Sequence, residues 1–240
     1  MSARLAAFLA ASPATAVFAL LLTIAAWLAG VSIQRRTGSA ALNPVLIAIV
    51  IIGLTLRALH MPYATYLAGA QPINFLLGPA IVALAIPLVR AIESIRRSLW
   101  PLLAGLTAGA ITSMVTGYGI VRVLGGSQVL ALTMLPKSLT TPIAIDVARS
   151  IGGISSIAVV LAILAGILVA MSINGLMRLF AITNPSAIGL AAGTAGSGIG
   201  SSRVIGQHPD SAAFAAVSLG LNGIVTGALA PLFAHLLKRW

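Results

Sequence analysis

A lysine surrounded by proline and hydroxyl residues is the first group in this sequence that could bind a ligand. Lys137 lies in the segment QVLALTMLPKSLTTPIAIDVA (128–148), next to Ser138 and shortly before Thr140 and Thr141. A lysine held at the middle of a membrane costs on the order of 3 kcal/mol, and residues retained there are usually functional. Its ammonium could bind a carboxylate, with the three hydroxyls as further donors. The alternative is that Lys137 lies near the interface and extends to lipid headgroups.

A stretch rich in glycine and serine, at residues 193–203, offers a second candidate site. Small residues let the main chain approach a ligand closely, and Thr194, Ser197 and Gly198 are the predicted binding residues there. The stretch is not a nucleotide loop, because it lacks the GxxxxGK[ST] pattern and a preceding strand. Tight packing between helices is the alternative role for its glycines.

Titratable side chains are few, which limits the chemistry. Asp146, the acid inside an apolar segment, could carry protons or form an ion pair with Lys137 or Arg149. Arg203, which ends the glycine-rich stretch, is the second candidate for ion coupling. The three histidines lack metal-ligand spacing, and the chain has three acids and no cysteine. We therefore predict no metal site, no enzymatic activity and no cofactor, with coupling to a proton or Na+ left open.

Composition places these residues in a membrane. Of the 240 residues, 59% are hydrophobic and 7% are charged, whereas a soluble domain has about 25% charged residues. This excludes a soluble enzyme and a disordered chain, and it predicts an all-α polytopic membrane protein with one transmembrane domain over 1–240. The net charge of +11 comes from basic residues dispersed at the ends of apolar runs. That pattern follows the positive-inside rule and argues against nucleic-acid binding.

Six apolar runs predict membrane-spanning helices, at residues 13–30, 43–59, 74–91, 99–121, 154–178 and 211–237. With segments 128–148 and 186–204, the total is about seven or eight. The preferred arrangement has seven crossings and one re-entrant element at 128–148. Segment 186–204 is expected to begin as a helix and then lose helical structure. Residues 1–30 would be an extra span before two repeats, 42–124 and 135–237, related by inverted topology as in secondary transporters.

Proline and glycine predict where these helices are interrupted. The expected hinge positions are Gly78, Pro79, Pro87, Pro136, Pro142, Gly193, Gly196 and Gly200. Asn43 could cap the helix that follows it or face the substrate. Interrupted helices leave free N–H groups with partial positive charge, which suit an anion. We therefore expect an anion site between the two interrupted segments.

Small residues at every fourth position mark one face of the span at 99–121. Gly105, Gly109, Ser113 and Gly117 predict a face for close helix packing. The last span carries a similar series of glycines, at positions 220, 223 and 227.

Four sequence blocks resemble the LrgB (CidB) family of bacterial integral membrane proteins. They are NPVLIAI (43–49), YLAGAQPINFLLGPAIVALAIPL (66–88), LPKSLTTPIAI (135–145) and GLAAGTAGSGIG (189–200). The resemblance extends over residues 40–233, and LPKSLTTPIAI is its most specific part.

This resemblance implies a fold like that of the cation–proton antiporters, with broken helices, in the bacterial cytoplasmic (inner) membrane. It implies one of two functions. The first is transport of small monocarboxylates of the pyruvate, glycolate or glycerate class. The second is a holin- or antiholin-like effect on murein hydrolase activity and cell lysis. It also implies a small LrgA (CidA) membrane partner, and a homo-oligomer is compatible with it.

By the same resemblance, the family motif falls on Pro136, Lys137, Ser138, Thr140, Thr141 and Pro142. The sequence departs from the family at Ser197, where histidine is common. It departs again at Asp210, which is displaced by one position from the usual acid. If either position couples protons in the family, coupling or substrate differs in this protein.

Overall fold

The computed structural model describes residues 13–39, 42–83, 89 and 92–237, and α-helix is the regular secondary structure throughout that part of the chain. The expectation of an all-α protein is therefore confirmed. The chain divides into two compact units, Met1–Ala83 and Leu84–Trp240.

The described part of the first unit consists of α1 (Pro13–Thr37), α2 (Pro44–Ala58), α3 (Tyr63–Gly69) and α4 (Gln71–Ala83). α1 packs against the other three helices, and its contact is centred on Ala19, Leu56 and Tyr66. The hydroxyls of Thr23 and Tyr66 lie 2.7 Å apart and bond to each other. This bond satisfies two polar groups in an otherwise apolar contact between helices.

Two predictions in the first unit, a helix cap and a hinge, have different outcomes. Asn43 caps α2, since its side chain accepts a hydrogen bond from Val45 N at 2.8 Å. Gly78 and Pro79 were expected as a hinge, but they lie inside α4, which continues to Ala83. A proline removes one backbone donor, and a helix can continue through it when its surroundings satisfy the freed carbonyl. Pro87 lies outside the described residues.

The described part of the second unit contains seven helices: α5 (Ile92–Arg97), α6 (Leu99–Val123), α7 (Gln128–Thr133), α8 (Thr141–Ile151), α9 (Ser155–Leu179), α10 (Pro185–Ile205) and α11 (Pro209–Leu237). Among all described residues, four helices are long and apolar enough to cross a membrane: α1, α6, α9 and α11. The number is five if α2 and α3, which are bent by 119°, form one span. The expected seven or eight spans are not confirmed. Segments 128–148 and 186–204 are not among the helices that could cross a membrane, and α2 has only 15 residues. The span expected at 74–91 lies partly outside the described residues.

The first of these segments forms a helical turn-back that we call the first hairpin (127–153). It begins with α7, where Gln128 Nε2 donates to Leu237 O at the C-terminal end of α11, at 3.4 Å. The chain leaves helical structure after α7 and resumes it in α8. After α8 the chain returns to the end of α7, where Ile154 N donates to Thr133 Oγ1 at 2.9 Å. The interruption expected in this segment is therefore present.

α10 differs from the prediction for residues 186–204. The segment stays helical from Pro185 to Ile205 and does not dissolve into a loop. Its departure from helical geometry is confined to Ser197, which has φ 47° and ψ −143°. The glycines near Ser197 stay helical. Their small size lets neighbouring helices approach closely and does not interrupt the helix.

The bend in α10 produces the second hairpin (185–208), whose two limbs lie side by side. A Cβ at Gly200 would lie 3.1 Å from Ala192 O, whereas eight residues of straight helix would separate these positions by about 12 Å. The chain then comes back to where it started, and Ser211 Oγ donates to Pro185 O at 2.9 Å. One residue with unusual backbone angles thus reverses the direction of the chain.

The two hairpins enter the second unit from opposite ends of α11. The first starts beside Leu237 and the second beside Ser211. These ends lie about 43 Å apart, at 1.5 Å per residue, because α11 has 29 residues. A helix of 25 residues precedes each hairpin, α6 for the first and α9 for the second. This order of helix and hairpin lies within the second unit, and the repeats expected at 42–124 and 135–237 stay a prediction.

The small-residue face predicted for α6 packs closely against the second hairpin. A Cβ at Gly105 would lie 2.9 Å from Leu190 Cδ2, and a Cβ at Gly109 would lie 3.1 Å from Thr194 Cγ2. Both partners belong to α10. The prediction of close helix packing on this face is therefore confirmed.

α10 and α11 form the most extensive helix contact of the second unit. A Cβ at Gly193 would lie 2.5 Å from Ala215 O and would overlap Ser218 Oγ. By contrast, a Cβ at Gly220 or Gly227 of α11 would have no neighbour within 4 Å. The close approach of these two helices therefore depends on the glycine of α10.

Candidate functional site

The irregular parts of the two hairpins meet at Asn222, near the middle of α11. Asn222 Nδ2 donates to Ser138 O at 3.3 Å and lies 3.4 Å from Ser138 Oγ, both on the first hairpin. It also donates to Thr194 O of the second hairpin at 3.0 Å. We call this contact the tip junction, and all three of its residues are buried. The two interrupted segments predicted from the sequence are thus joined through Asn222.

Lys137 lies on the first hairpin, one residue before the tip junction. Its ammonium donates to Ser113 O on α6. Gly117, one turn after Ser113, makes this approach possible, because a Cβ at that position would overlap Lys137 Nζ. Lys137 is half-buried and forms no ion pair with any residue that the structure describes.

The acids of the chain all lie beside other basic groups. Asp146 had two expected partners, Lys137 and Arg149, and the structure places it 3.9 Å from Arg149, with both side chains exposed. The other acids follow the same pattern, Glu93 with Arg97 at 4.0 Å and Asp210 with His208 at 3.8 Å. The positive charge of Lys137 is therefore left without a carboxylate among the residues that the structure describes.

The bend of the second hairpin gathers polar groups beside the tip junction. Ser197 is buried, and its carbonyl accepts a hydrogen bond from Ser201 Oγ at 2.6 Å. Thr194 Oγ1 is buried and has no hydrogen-bond partner among the described residues. A buried hydroxyl left without a partner costs about 1–3 kcal/mol. Gly198 has open space beside it, since a Cβ there would meet no atom within 4 Å.

The first hairpin contributes the start of α8. Thr140 is the N-cap residue, but its side chain makes no capping hydrogen bond. The first N–H groups of a helix lack partners within the helix and carry partial positive charge. Thr141 is the first residue of α8, and Pro142 follows it, where the absence of a backbone donor costs little. Pro136 is fully buried in the loop between α7 and α8.

The other predicted residues take different positions. Asn43 lies in the first unit and caps α2, and Asp146 and Arg203 are exposed. The three glycines expected as hinges of the second hairpin have no positive φ, and each would collide with a neighbouring atom if it carried a Cβ: Gly193, Gly196 and Gly200. Close packing thus explains these glycines, while the bend itself belongs to Ser197.

Sequence reasoning missed two residues of the site, Asn222 and Thr226. Thr226 Oγ1 donates to Asn222 Oδ1 at 2.9 Å, one turn along α11, and both side chains are buried. A signal was present in the sequence. Ser218, Asn222 and Thr226 recur at every fourth position of the last apolar span, which places three polar residues on one helix face. Polar side chains in such a span usually face protein rather than lipid.

The helices and their surfaces together define a multi-pass helical membrane protein. The four long helices are apolar along their length, and large apolar side chains such as Leu168 and Ile224 stand exposed on them. Exposed apolar surface of this extent would be unfavourable in water but suits contact with lipid.

The chain belongs to the LrgB-like family, whose family model matches residues 23–236. It is 33% identical over 221 residues to YxaC of Bacillus subtilis (strain 168), which covers 92% of this chain and 96% of that protein. It is 30% identical over 224 residues to the antiholin-like protein LrgB of Bacillus mycoides (strain KBAB4), which covers 93% and 97%. No solved structure matches the chain. The resemblance drawn from the sequence motifs is confirmed, and this is a multi-pass bacterial membrane protein of that family.

Proposed function

We propose that this protein carries small monocarboxylates of the pyruvate, glycolate or glycerate class across the bacterial cytoplasmic (inner) membrane. One observation supports this most directly. The ammonium of Lys137, which has no acidic partner among the described residues, lies one residue from the junction of two interrupted segments. The protein is not an enzyme in this proposal, and the carboxylate crosses unchanged.

The charge at the site favours a substrate with a single negative charge. An ammonium has three donors, and Ser113 O accepts from Lys137 Nζ. The other donors are free to bind the oxygens of a carboxylate. The start of α8 and the start of the returning limb of α10 add partial positive charge but no second full charge. A dicarboxylate would therefore keep one of its charges uncompensated in a buried site.

The polar groups of the two hairpin tips would recognise the rest of the molecule. Ser138, Thr140 and Thr141 lie on the first hairpin, and the unpartnered hydroxyl of Thr194 lies on the second. These hydroxyls can bind the hydroxyl or keto oxygen next to the carboxylate of a small acid. Ser197 and Gly198 complete the proposed contacts, since open space beside Gly198 would admit the ligand.

The arrangement of the hairpins suggests how the site could open to either side. In transporters with inverted repeats, the substrate site lies near the bilayer midplane at discontinuous helices. Here the hairpins come from opposite ends of α11 and meet near its middle, at Asn222. We propose that alternating access moves one hairpin relative to the other, in an arrangement like that of the cation–proton antiporters. Asp146 and Arg203 are our candidates for coupling to a proton or Na+.

Uptake by purified protein in proteoliposomes tests this proposal. We expect saturable uptake from a panel of radiolabelled monocarboxylates, weaker competition by dicarboxylates, and loss of uptake in Lys137→Ala. Arg122→Ala is the matched control, because it removes an exposed basic residue at the end of α6. Folded Lys137→Ala that transports at the rate of the unmodified protein would contradict the proposal.

A second function, a holin- or antiholin-like effect on murein hydrolase activity and cell lysis, has support of its own. Relatives that are 29–30% identical along nearly their whole length are named antiholin-like protein LrgB. That function would involve a small LrgA-like membrane partner, a homo-oligomer, or both. It predicts nonselective leakage of neutral dyes from liposomes containing the protein with its partner, and altered autolysis when the gene is deleted. Saturable carboxylate uptake without dye leakage would favour transport instead.

A further inference from the structure

We propose that Asn222 positions the substrate site by holding the tips of the two hairpins together. This inference rests on the proposed function for the identity of the substrate, but the contact itself is independent of it. Asn222 is the residue of α11 that bonds to both hairpins, through Ser138 and Thr194. Those two residues are 56 positions apart in the sequence and belong to segments that enter from opposite ends of α11.

The two carbonyls that Asn222 binds lie where helical structure is interrupted, so they lack the backbone donor that a continuous helix would provide. The bend at Ser197 ends the first limb of α10, and the last four carbonyls of a helix have no partner within it. Thr194 is among those four residues, and its carbonyl accepts from Asn222 at 3.0 Å. Ser138 lies in the loop between α7 and α8, and its carbonyl accepts at 3.3 Å. An amide NH2 group has two donors, one for each carbonyl.

Thr226 supports the orientation of the Asn222 amide that the two carbonyls require. Its hydroxyl donates to Asn222 Oδ1 at 2.9 Å, so the oxygen of the amide points along α11. The NH2 group must then point toward the hairpins. If the amide were reversed, its oxygen would face two carbonyl oxygens and all three would be acceptors. Thr226 and Asn222 thus act as a unit, and loss of the Thr226 hydroxyl should weaken both hairpin contacts.

The position of this unit makes it relevant to substrate binding. Ser138 is the neighbour of Lys137, and Thr194 carries the buried hydroxyl that has no partner. Lys137, the proposed ligand of the carboxylate, and the Thr194 hydroxyl, the proposed ligand of the oxygen next to it, are therefore both placed through Asn222. Asn222 is a positioning residue in this proposal, since its own donors are engaged by main-chain carbonyls.

Cysteine labelling and transport together test the tip junction. The chain has no cysteine, so Ser138→Cys provides a single thiol at a buried position and keeps the carbonyl that Asn222 binds. In this background, we expect Asn222→Ala and Thr226→Val to raise the rate of maleimide labelling about tenfold, equivalent to ~1.4 kcal/mol. Thr226→Ser keeps the hydroxyl and should label at the original rate. Thr226→Val retains the shape of threonine and is the variant to use if Asn222→Ala does not fold.

The transport readout separates this inference from the proposed function. We expect the KM for monocarboxylate uptake to rise about tenfold in Thr226→Val and to stay unchanged in Thr226→Ser. Labelling that depends on Asn222 in a protein without carboxylate uptake would support the tip junction and overturn the transport proposal. Labelling and KM that are the same in Asn222→Ala, Thr226→Val and the unmodified protein would overturn the tip junction.

Discussion

The substitution Gly117→Ala isolates the contact that holds Lys137. A methyl group at this position would overlap Lys137 Nζ, while its next neighbours, Lys137 Cε at 3.4 Å and Met134 Cβ at 3.5 Å, are at ordinary contact distances. Because the overlap involves only the end of a flexible side chain, the helices need not move. We expect the ammonium to leave Ser113 O and the rest of the fold to remain.

Two opposing terms set the size of the effect. Alanine in place of glycine inside a helix stabilises the folded protein by roughly 0.5–1 kcal/mol, because alanine loses less conformational freedom than glycine when the chain folds. Loss of a hydrogen bond from a charged group costs about 1.5–3 kcal/mol. Gly119→Ala on the same helix is the matched control, since a Cβ there would have no neighbour within 4 Å. The free energy of unfolding of the two variants should therefore differ by about 1.5–3 kcal/mol, with Gly117→Ala the less stable.

Unfolding in detergent micelles measures this difference, and a second background shows its cause. In Lys137→Met the ammonium is absent, so the two alanine variants should be equally stable there. This double-mutant comparison isolates the energy of the contact between Lys137 and Ser113, provided that each substitution removes only that contact. Equal stability of the two variants in the unmodified protein would show that Lys137 is not held at Ser113. A difference that persists in Lys137→Met would show that Gly117 acts through another contact.

Four further predictions concern the elements around the site. Ser197→Gly should stabilise the protein by about 1 kcal/mol, because glycine adopts a positive φ without the steric cost borne by serine. A lower melting temperature for this variant in thermal unfolding would contradict the prediction. Gly193→Ala should destabilise by about 1–3 kcal/mol through overpacking, whereas Gly227→Ala on the facing helix should not; equal melting temperatures would contradict this. Asn43→Ala should lose about 1 kcal/mol with the cap of α2, a loss visible in chemical unfolding. Asp146→Asn should leave the melting temperature unchanged, because its ion pair with arginine is exposed, and its effect on the pH dependence of uptake tests the coupling role.

Local sequence features predicted most of the helices. The boundaries of α6, α9 and α11 lie within two residues of the predicted spans, because a long apolar run can satisfy its backbone in lipid only as a helix. The interruption after α7 was predicted from Pro136 and Pro142 for a similar reason, since proline removes a donor and restricts the chain. Gly78 and Pro79 show the limit of that rule, because a single proline can be accommodated inside a helix.

The sequence by itself determined that this is a helical membrane protein, that Lys137 lies in a broken segment, and that α6 has a face for close packing. Only the tertiary structure decided that α10 turns back at Ser197 and that Asn222 joins the two hairpins. The reason is physical: charge, apolarity and proline act on their immediate neighbours along the chain. The partners of Lys137 and Asn222 lie 24 to 84 residues away, and those bonds exist only after the helices have packed.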